Sequence, residues 1–258
     1  MKKSALVIVA SLGASLVPTF AFADDAASPI TYNIGAVSDY RYRGISQTKM
    51  KPAVQGGVDY ANGPIYVGTW LSTIQWVKDT GKAVGVNSGN APLEWDLYGG
   101  TKGDIIKDSL TYDVGVLAYV YLGEKFHNVG LSNPDTGEFY GALTYGVFTG
   151  KVSISATPLF GMPKSKGSQY YDLSANFDLG SGFTLTPDVG YQNITGSVAK
   201  AAGASYSDYS LTLGKDFGKG LSASLQVIAT DADKNFYVTS SGKFTGRTGV
   251  VAGVKYSF

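Results

Sequence analysis

The chain ends on Gly249-Val250-Val251-Ala252-Gly253-Val254-Lys255-Tyr256-Ser257-Phe258, in which Val250, Ala252, Val254, Tyr256 and Phe258 share one parity while Val251, Gly253, Lys255 and Ser257 share the other. A period of two puts successive side chains on opposite faces of an extended strand. One face is apolar as far as a final aromatic, and the other is mostly small or polar. Such a strand must lie in a sheet whose greasy side is covered, by a core or by lipid.

The amino end points to export. Met1-Lys2-Lys3, an apolar run over residues 5–17, and Ala21-Phe22-Ala23 ahead of Asp24-Asp25 have the charged start, short hydrophobic stretch and small-residue cleavage site of a secretory leader. The expected division is a leader over 1–23 and one mature domain over 24–258. The apolar run is shorter than the roughly 20 residues of a spanning helix, and no later stretch supplies one; any membrane crossing must be made by strands. There is no cysteine, which excludes disulfides and thiolate metal sites. Twenty-one basic against 20 acidic residues give +1, and loss of Lys2 and Lys3 with the leader leaves −1, so no basic excess points to nucleic acid. Thirty-four glycines, 18 tyrosines and only 16% charged residues suit a barrel wall, with glycine making room inside and tyrosine sitting where hydrocarbon meets headgroups.

Alternation recurs in twelve segments, near residues 31–43, 53–60, 64–72, 92–100, 109–122, 138–147, 151–160, 169–179, 183–193, 205–217, 221–230 and 247–258. Connections after the even-numbered segments are mostly tight-turn sequences: Ala61-Asn62-Gly63, residues 101–108, Phe148-Thr149-Gly150, Gly180-Ser181-Gly182 and Gly218-Lys219-Gly220. The others, over 73–91, 123–137, 161–168, 194–204 and 231–246, are longer and polar, and 46–52 is the shortest of that set. Short turns on one rim and long loops on the other predict an all-β fold, an antiparallel transmembrane β-barrel of twelve strands with both ends at the turn rim.

Aromatics on the apolar parity collect at two levels. Tyr60, Tyr112, Tyr145, Phe177, Phe183, Phe217, Tyr256 and Phe258 fall near the turns, and Tyr40, Tyr42, Trp95, Phe139, Phe160, Tyr171, Tyr191 and Tyr209 near the loops. Ile34, Val116, Leu143, Ile154, Leu173, Leu211, Leu225 and Val227 form the belt between. That is the pattern a bilayer imposes. Lys215 interrupts it near the turn rim, where it can snorkel.

Asn33-Ile34-Gly35, Ser38-Asp39-Tyr40-Arg41-Tyr42-Arg43-Gly44-Ile45-Ser46-Gln47, Pro52-Ala53-Val54-Gln55-Gly56-Gly57-Val58-Asp59-Tyr60, Tyr66-Val67-Gly68-Thr69-Trp70 and Glu94-Trp95-Asp96-Leu97-Tyr98-Gly99-Gly100 resemble the opening strands of the TorF-type porin family of proteobacteria. The match is most specific over 32–100. The resemblance implies an outer-membrane barrel of a Gram-negative bacterium that passes small solutes.

The inward parity carries Asp39, Arg41, Arg43, Asp59, Glu94, Asp96, Asp113, Asp172, Asp178, Asp188, Asp208, Asp216, Arg247 and Lys255. Arg41, Arg43 and Arg247, on strands that become neighbours on closure, would face Glu94, Asp96, Asp172 and Asp208 across the lumen. The expected pore-lining set is therefore Asp39, Arg41, Arg43, Glu94, Asp96, Asp113, Asp172, Asp188, Asp208 and Arg247, a basic wall opposite an acidic one that orients and filters small hydrophilic solutes or ions during passive diffusion. Inward glycines, Gly35, Gly57, Gly68, Gly100, Gly115 and Gly190, favour an open path, and the acidic excess a mild cation preference. The rival is a sealed structural or adhesive barrel, its charges paired, whose loops over 73–91 and 231–246 bind a surface partner. No enzyme activity and no cofactor is expected: the single histidine, His127, falls in a loop, far from what a positioned base requires, and Asp231-Ala232-Asp233 begins like a calcium loop but lacks its glycine and final glutamate. Expected partners are outer-membrane lipid and lipopolysaccharide, the barrel-assembly machinery through Phe258, and small polar solutes or ions; a monomer is expected, because no long inward-folding loop or trimer-like feature stands out.

Overall fold

The computed structural model describes residues 28–83, 85, 92–129 and 132–258; the expected leader lies outside them. The strands are β1 (Ile30–Val37), β2 (Arg41–Tyr42), β3 (Ile45–Ser46), β4 (Ala53–Asn62), β5 (Ile65–Thr73), β6 (Leu93–Ile106), β7 (Leu110–Tyr121), β8 (Thr136–Tyr145), β9 (Phe148–Ser155), β10 (Gln169–Ala175), β11 (Phe177–Gly180), β12 (Phe183–Asn193), β13 (Tyr206–Gly218), β14 (Leu221–Thr230) and β15 (Gly249–Ser257). Two short helices, α1 (Trp76–Ala83) and α2 (Ser197–Ala201), lie in the long loops. Antiparallel pairing runs β1-β4-β5-β6-β7-β8-β9-β10-β12-β13-β14-β15 and returns to β1, with Ile34 opposite Tyr256 and Gly35 opposite Lys255 at the seam. β11 continues β10 beyond Asn176 and pairs with β12. The wall is thus the expected closed, twelve-stranded antiparallel barrel, in which each of the twelve staves has a partner on both sides.

β12 and β14 begin and end where the alternation predicts, and most other staves agree within a few residues. Two turns are corrected. β6 runs on to Ile106, so the connection expected over 101–108 shrinks to Lys107, Asp108 and Ser109. Phe148, Thr149 and Gly150, expected as a turn, open β9, and the reversal sits at Gly146-Val147. At the last hairpin Gly220 has φ +82°, and a Cβ there would lie 2.0 Å from the Ser257 carbonyl oxygen. Only glycine lets this turn pass under the carboxyl-terminal strand.

Outward side chains are apolar and exposed: Ile34, Val54, Val116, Leu143, Ile154, Leu173, Leu211, Leu225 and Val227, with Tyr60, Tyr145, Phe217 and Phe258 toward the turns and Phe139, Tyr171, Tyr191 and Tyr209 toward the loops. Among the described residues no helix is long and apolar enough to span a bilayer, so this belt is what lipid would meet. Lys215 Nζ lies 4.3 Å from the Phe183 ring centroid and donates to the Ser181 carbonyl at 2.6 Å, reaching down to the turn rim as expected of a snorkelling lysine.

Inside, the glycines do something other than hold space open. A Cβ at Gly68 would fall 2.4 Å from the Tyr98 ring, at Gly100 2.5 Å from Tyr66 Oη, at Gly115 2.5 Å from Tyr140 Oη and at Gly190 2.0 Å from Tyr170 Oη. Each glycine is the seat of a tyrosine ring. The expectation that these glycines widen the path is therefore corrected: the missing side chain is replaced by a ring laid against the wall. Gly190→Ala should push Tyr170 off its seat and lower stability by on the order of 1–3 kcal/mol, read as an earlier urea midpoint in detergent, because overpacking here also disturbs the Tyr170–Asp208 hydrogen bonds.

Candidate functional site: an infolded hairpin in the lumen

β1 was expected to continue to Arg43, but it stops at Val37 and the chain turns into the barrel. Asp39 pins the reversal: its carboxylate accepts from Arg41 Nε at 2.5 Å, Ser46 Oγ at 2.6 Å and Thr48 Oγ1 at 3.0 Å. β2 and β3 form a two-rung hairpin. At its tip Gly44 has φ +81°, and a Cβ would meet Thr230 Cγ2 at 2.4 Å and Asp208 Cβ at 2.8 Å, so both the backbone conformation and the close approach require glycine. Arg41 Nη1 donates to the carbonyls of Gly44, Thr245 and Arg247 at 2.9–3.0 Å, while the Ser46 N–H donates to Thr245 O and the N–H groups of Gln75 and Trp76 donate to Gln47 O. The hairpin is held from both neighbouring loops.

Two aromatics and a cation are thereby delivered to the lumen. Tyr40 donates to Glu94 at 2.5 Å, where Tyr121 also donates at 2.8 Å. Tyr42 meets Tyr119 through hydroxyl contact at 2.9 Å, and Tyr42, Tyr119, Tyr121 and Trp76 pack edge-to-face around Phe160, the first two also against each other and Trp76 against Tyr121. Arg43 forms a buried ion pair with Glu138 at 2.7 Å, donates to Gln192 Oε1 at 2.6 Å, and places its guanidinium 4.3 Å from the Tyr170 ring centroid. These partners come from β6, β7, β8, β10 and β12, so the hairpin ties together much of the wall.

The expected site residues divide into groups. Asp39, Arg41 and Arg43 are interior but sit on the hairpin, not on the wall of the first strand, and all three are buried. Glu94 and Asp96 point inward from β6 and are buried, and Asp96 Oδ1 has no hydrogen-bond partner. Asp113 on β7 accepts from Tyr66 at 2.5 Å, and Asp208 on β13 from Tyr170. Gly190 stands opposite both Asp172 and Asp208, and Asp188 lies two residues along β12, so three carboxylates gather around one seat. Arg247 precedes β15; its side chain is exposed, and it joins the hairpin through its carbonyl alone.

Tyr40, Tyr42 and Phe160, expected among the lipid-facing aromatics, lie inside. Strand parity cannot be carried past Val37, where the extended backbone ends, or past Ser155, where β9 ends. The inward fold is short, two residues in each of β2 and β3, which is why no long inward-folding loop stands out in the sequence. The interior also holds Glu138, Lys102 and Lys151, which are not in the expected set. Glu138 alternates with exposed Phe139, and Lys151 with exposed Val152, so parity alone would have found both; Lys102 was hidden by the expected turn. Lys151 Nζ lies 4.6 Å from the Tyr140 ring centroid. His127 lies in a 3-10 turn at the loop rim. Asp233 accepts from the N–H groups of Asn235 and Phe236, which accounts for the calcium-like Asp231-Ala232-Asp233 spacing as a turn.

Outside the lumen, Asp79 on α1 clamps two loops. It pairs with Lys49 and accepts from the Ser240 hydroxyl and, at 2.8 Å, the Ser240 N–H. Burial pushes its carboxyl up, but the Lys49 and Ser240 hydrogen bonds outweigh burial and hold it below the usual aspartate value. A carboxyl depressed on folding stabilises above its unfolded pKa of about 3.9 and loses that contribution as pH falls through the folded value. The clamp should therefore be intact at pH 5 and begin to weaken only as pH falls below about 4, seen as faster limited proteolysis near Ser240 that Asp79→Asn reproduces at neutral pH.

A closed twelve-stranded wall, lipid-compatible outside and ionised inside, with a segment folded into its lumen, is a porin-like transmembrane β-barrel. The chain belongs to the family described as bacterial protein of unknown function (Gcw_chp), whose model matches residues 23–258. Its fold is similar to that of the NanC porin, with a TM-score of 0.52 at 10% identity over 89% of this chain and 98% of that one. Overlap is looser with a mutant porin of Rh. blastica (TM-score 0.38, 13% identity, 80% of this chain) and with Pseudomonas aeruginosa OprD (TM-score 0.42, 12% identity, 89% of this chain). Of those longer chains this one spans 55% and 66%. No curated protein matches in sequence.

Proposed function

We propose that the protein is a channel in the outer membrane of a Gram-negative bacterium, through which small hydrophilic solutes or ions diffuse passively, and that the infolded hairpin is its constriction. One observation carries this reading: Lys102, Asp113, Asp172 and Asp188 face inward yet are only partly buried, and for an inward side chain the space that exposes it lies inside the barrel. The inner wall is thus polar and in part accessible, as a water path requires. The loop rim, in this reading, faces the cell exterior, the TorF-type resemblance of residues 32–100 applies, residues 1–23 are a cleaved leader so that the purified chain starts at Asp24 by mass, and Phe258 is read by the assembly machinery. The barrel acts as a monomer, without cofactor or catalysis.

Purified protein in a planar bilayer should give conductance steps above background. Asp59, Asp113, Asp172, Asp188 and Asp208 outnumber Lys102, Lys151 and Lys255 along the lumen, so reversal potentials in a salt gradient should show a mild cation preference that Asp172→Asn with Asp188→Asn reduces. Anion selectivity in the unmodified protein would contradict this.

A second reading, a sealed barrel whose loops bind a surface partner, is favoured by the buried aromatic cluster of Tyr42, Tyr119, Tyr121, Trp76 and Phe160. Silence of the protein in the bilayer, with and without the hairpin, would select it.

A further inference from the structure

Between the limb that leaves the hairpin, the helix α1 and the last long loop lies a cleft of about 660 Å³, lined by Lys49, Lys51, Lys78, Lys82, Lys243 and Asp79 together with uncharged residues. It belongs to neither the lumen nor the constriction, and the channel reading makes no use of it. Asp79 is the only carboxylate among the lining residues, and it is engaged by Lys49 and Ser240. Lys51, Lys78, Lys82 and Lys243 are exposed, and among the described residues no carboxylate pairs with them. Lys78 and Lys82 are one turn apart on the same face of α1, where like charges repel. The fold thus gathers five lysines from three separate segments against one carboxylate, already engaged, at a volume typical of ligand pockets.

We propose that this cleft binds an anion carrying two or more phosphate groups. Linked phosphates present several charged oxygens to ammonium donors at once, and so suit cations spread over three elements and about 660 Å³ better than a single small anion does. Apolar ligands are disfavoured by the charged walls. The same chemistry has two sources at this rim, a soluble polyphosphorylated solute or the phosphorylated headgroup of a lipid in the facing leaflet. The inference stands independently of whether the lumen conducts.

The test is calorimetric titration of inorganic tripolyphosphate into the full-length protein in a nonionic detergent, beside a Lys78→Gln, Lys82→Gln, Lys243→Gln variant and its Lys-to-Arg counterpart. Binding should weaken at least tenfold in the glutamine variant, be retained in the arginine variant, and fall as sodium chloride rises. Equal affinity in all three proteins, or no heat from the unmodified protein, overturns the proposal. Vesicles of phosphatidylcholine carrying diphosphorylated lipid A separate the sources: displacement of tripolyphosphate from the unmodified protein assigns the lipid headgroup, and undisturbed binding assigns the soluble anion.

Discussion

Replacing residues 40–47 with a short glycine-serine link should raise single-channel conductance severalfold while leaving a folded barrel. Conductance is set by the narrowest section, and the hairpin places Tyr40, Tyr42 and Arg43, all buried, between partners on β6, β7, β8 and β12. The wall does not depend on that segment. β1 remains paired to β15 from Asn33 to Val37 and to β4 from Ile30 to Val37, so the hydrogen-bonded ring survives its loss. Far-UV circular dichroism should be unchanged. Unaltered conductance in a folded variant would show that the hairpin is not the constriction, and conductance that appears only in the variant would make the hairpin a plug.

Glu138→Ala should have the largest effect of any single substitution in the lumen. Arg43 and Glu138 are 7% and 4% exposed, and removal of one partner of a buried ion pair strands the other, at a cost of about 3–5 kcal/mol. The stranded guanidinium has an escape, because the hairpin can withdraw and let it hydrate. The penalty is therefore expected as faster proteolysis between Asp39 and Thr48 and a noisier open state, ahead of any loss of the barrel in urea. Arg43→Met combined with Glu138→Leu leaves no unpaired charge and should recover much of the loss. If Glu138→Ala leaves protease sensitivity and current noise unchanged, the ion pair is not what seats the hairpin.

Both expectations concern a segment whose position was not legible from its own residues. The staves were legible because alternation is local: each strand declares its two faces within a few residues, and repetition around the chain, with turns and loops taking turns at the two rims, declares closure. Parity also placed Asp113, Asp172, Asp188 and Asp208 inside, and would have placed Glu138 and Lys151 there. Tyr40 and Tyr42 continue the parity of Ile34 and Ala36, so the same rule sent them to lipid. The inward glycines are legible as positions but not in what they do, since Gly190 is a seat only because Tyr170 reaches it from another stave.

The amino-acid sequence by itself determined the wall: twelve alternating segments, an apolar exterior with aromatic rims, and an ionised interior. Only the tertiary structure decided what stands inside it. Arg41 finds its carbonyls 204 and 206 residues away, and Arg43 its acceptors 95 and 149 residues away. The barrel must close before those groups share a lumen. Period and turn chemistry act between neighbours in the chain, whereas the inward fold of the hairpin is a choice among distant partners that come within reach only inside the finished cylinder.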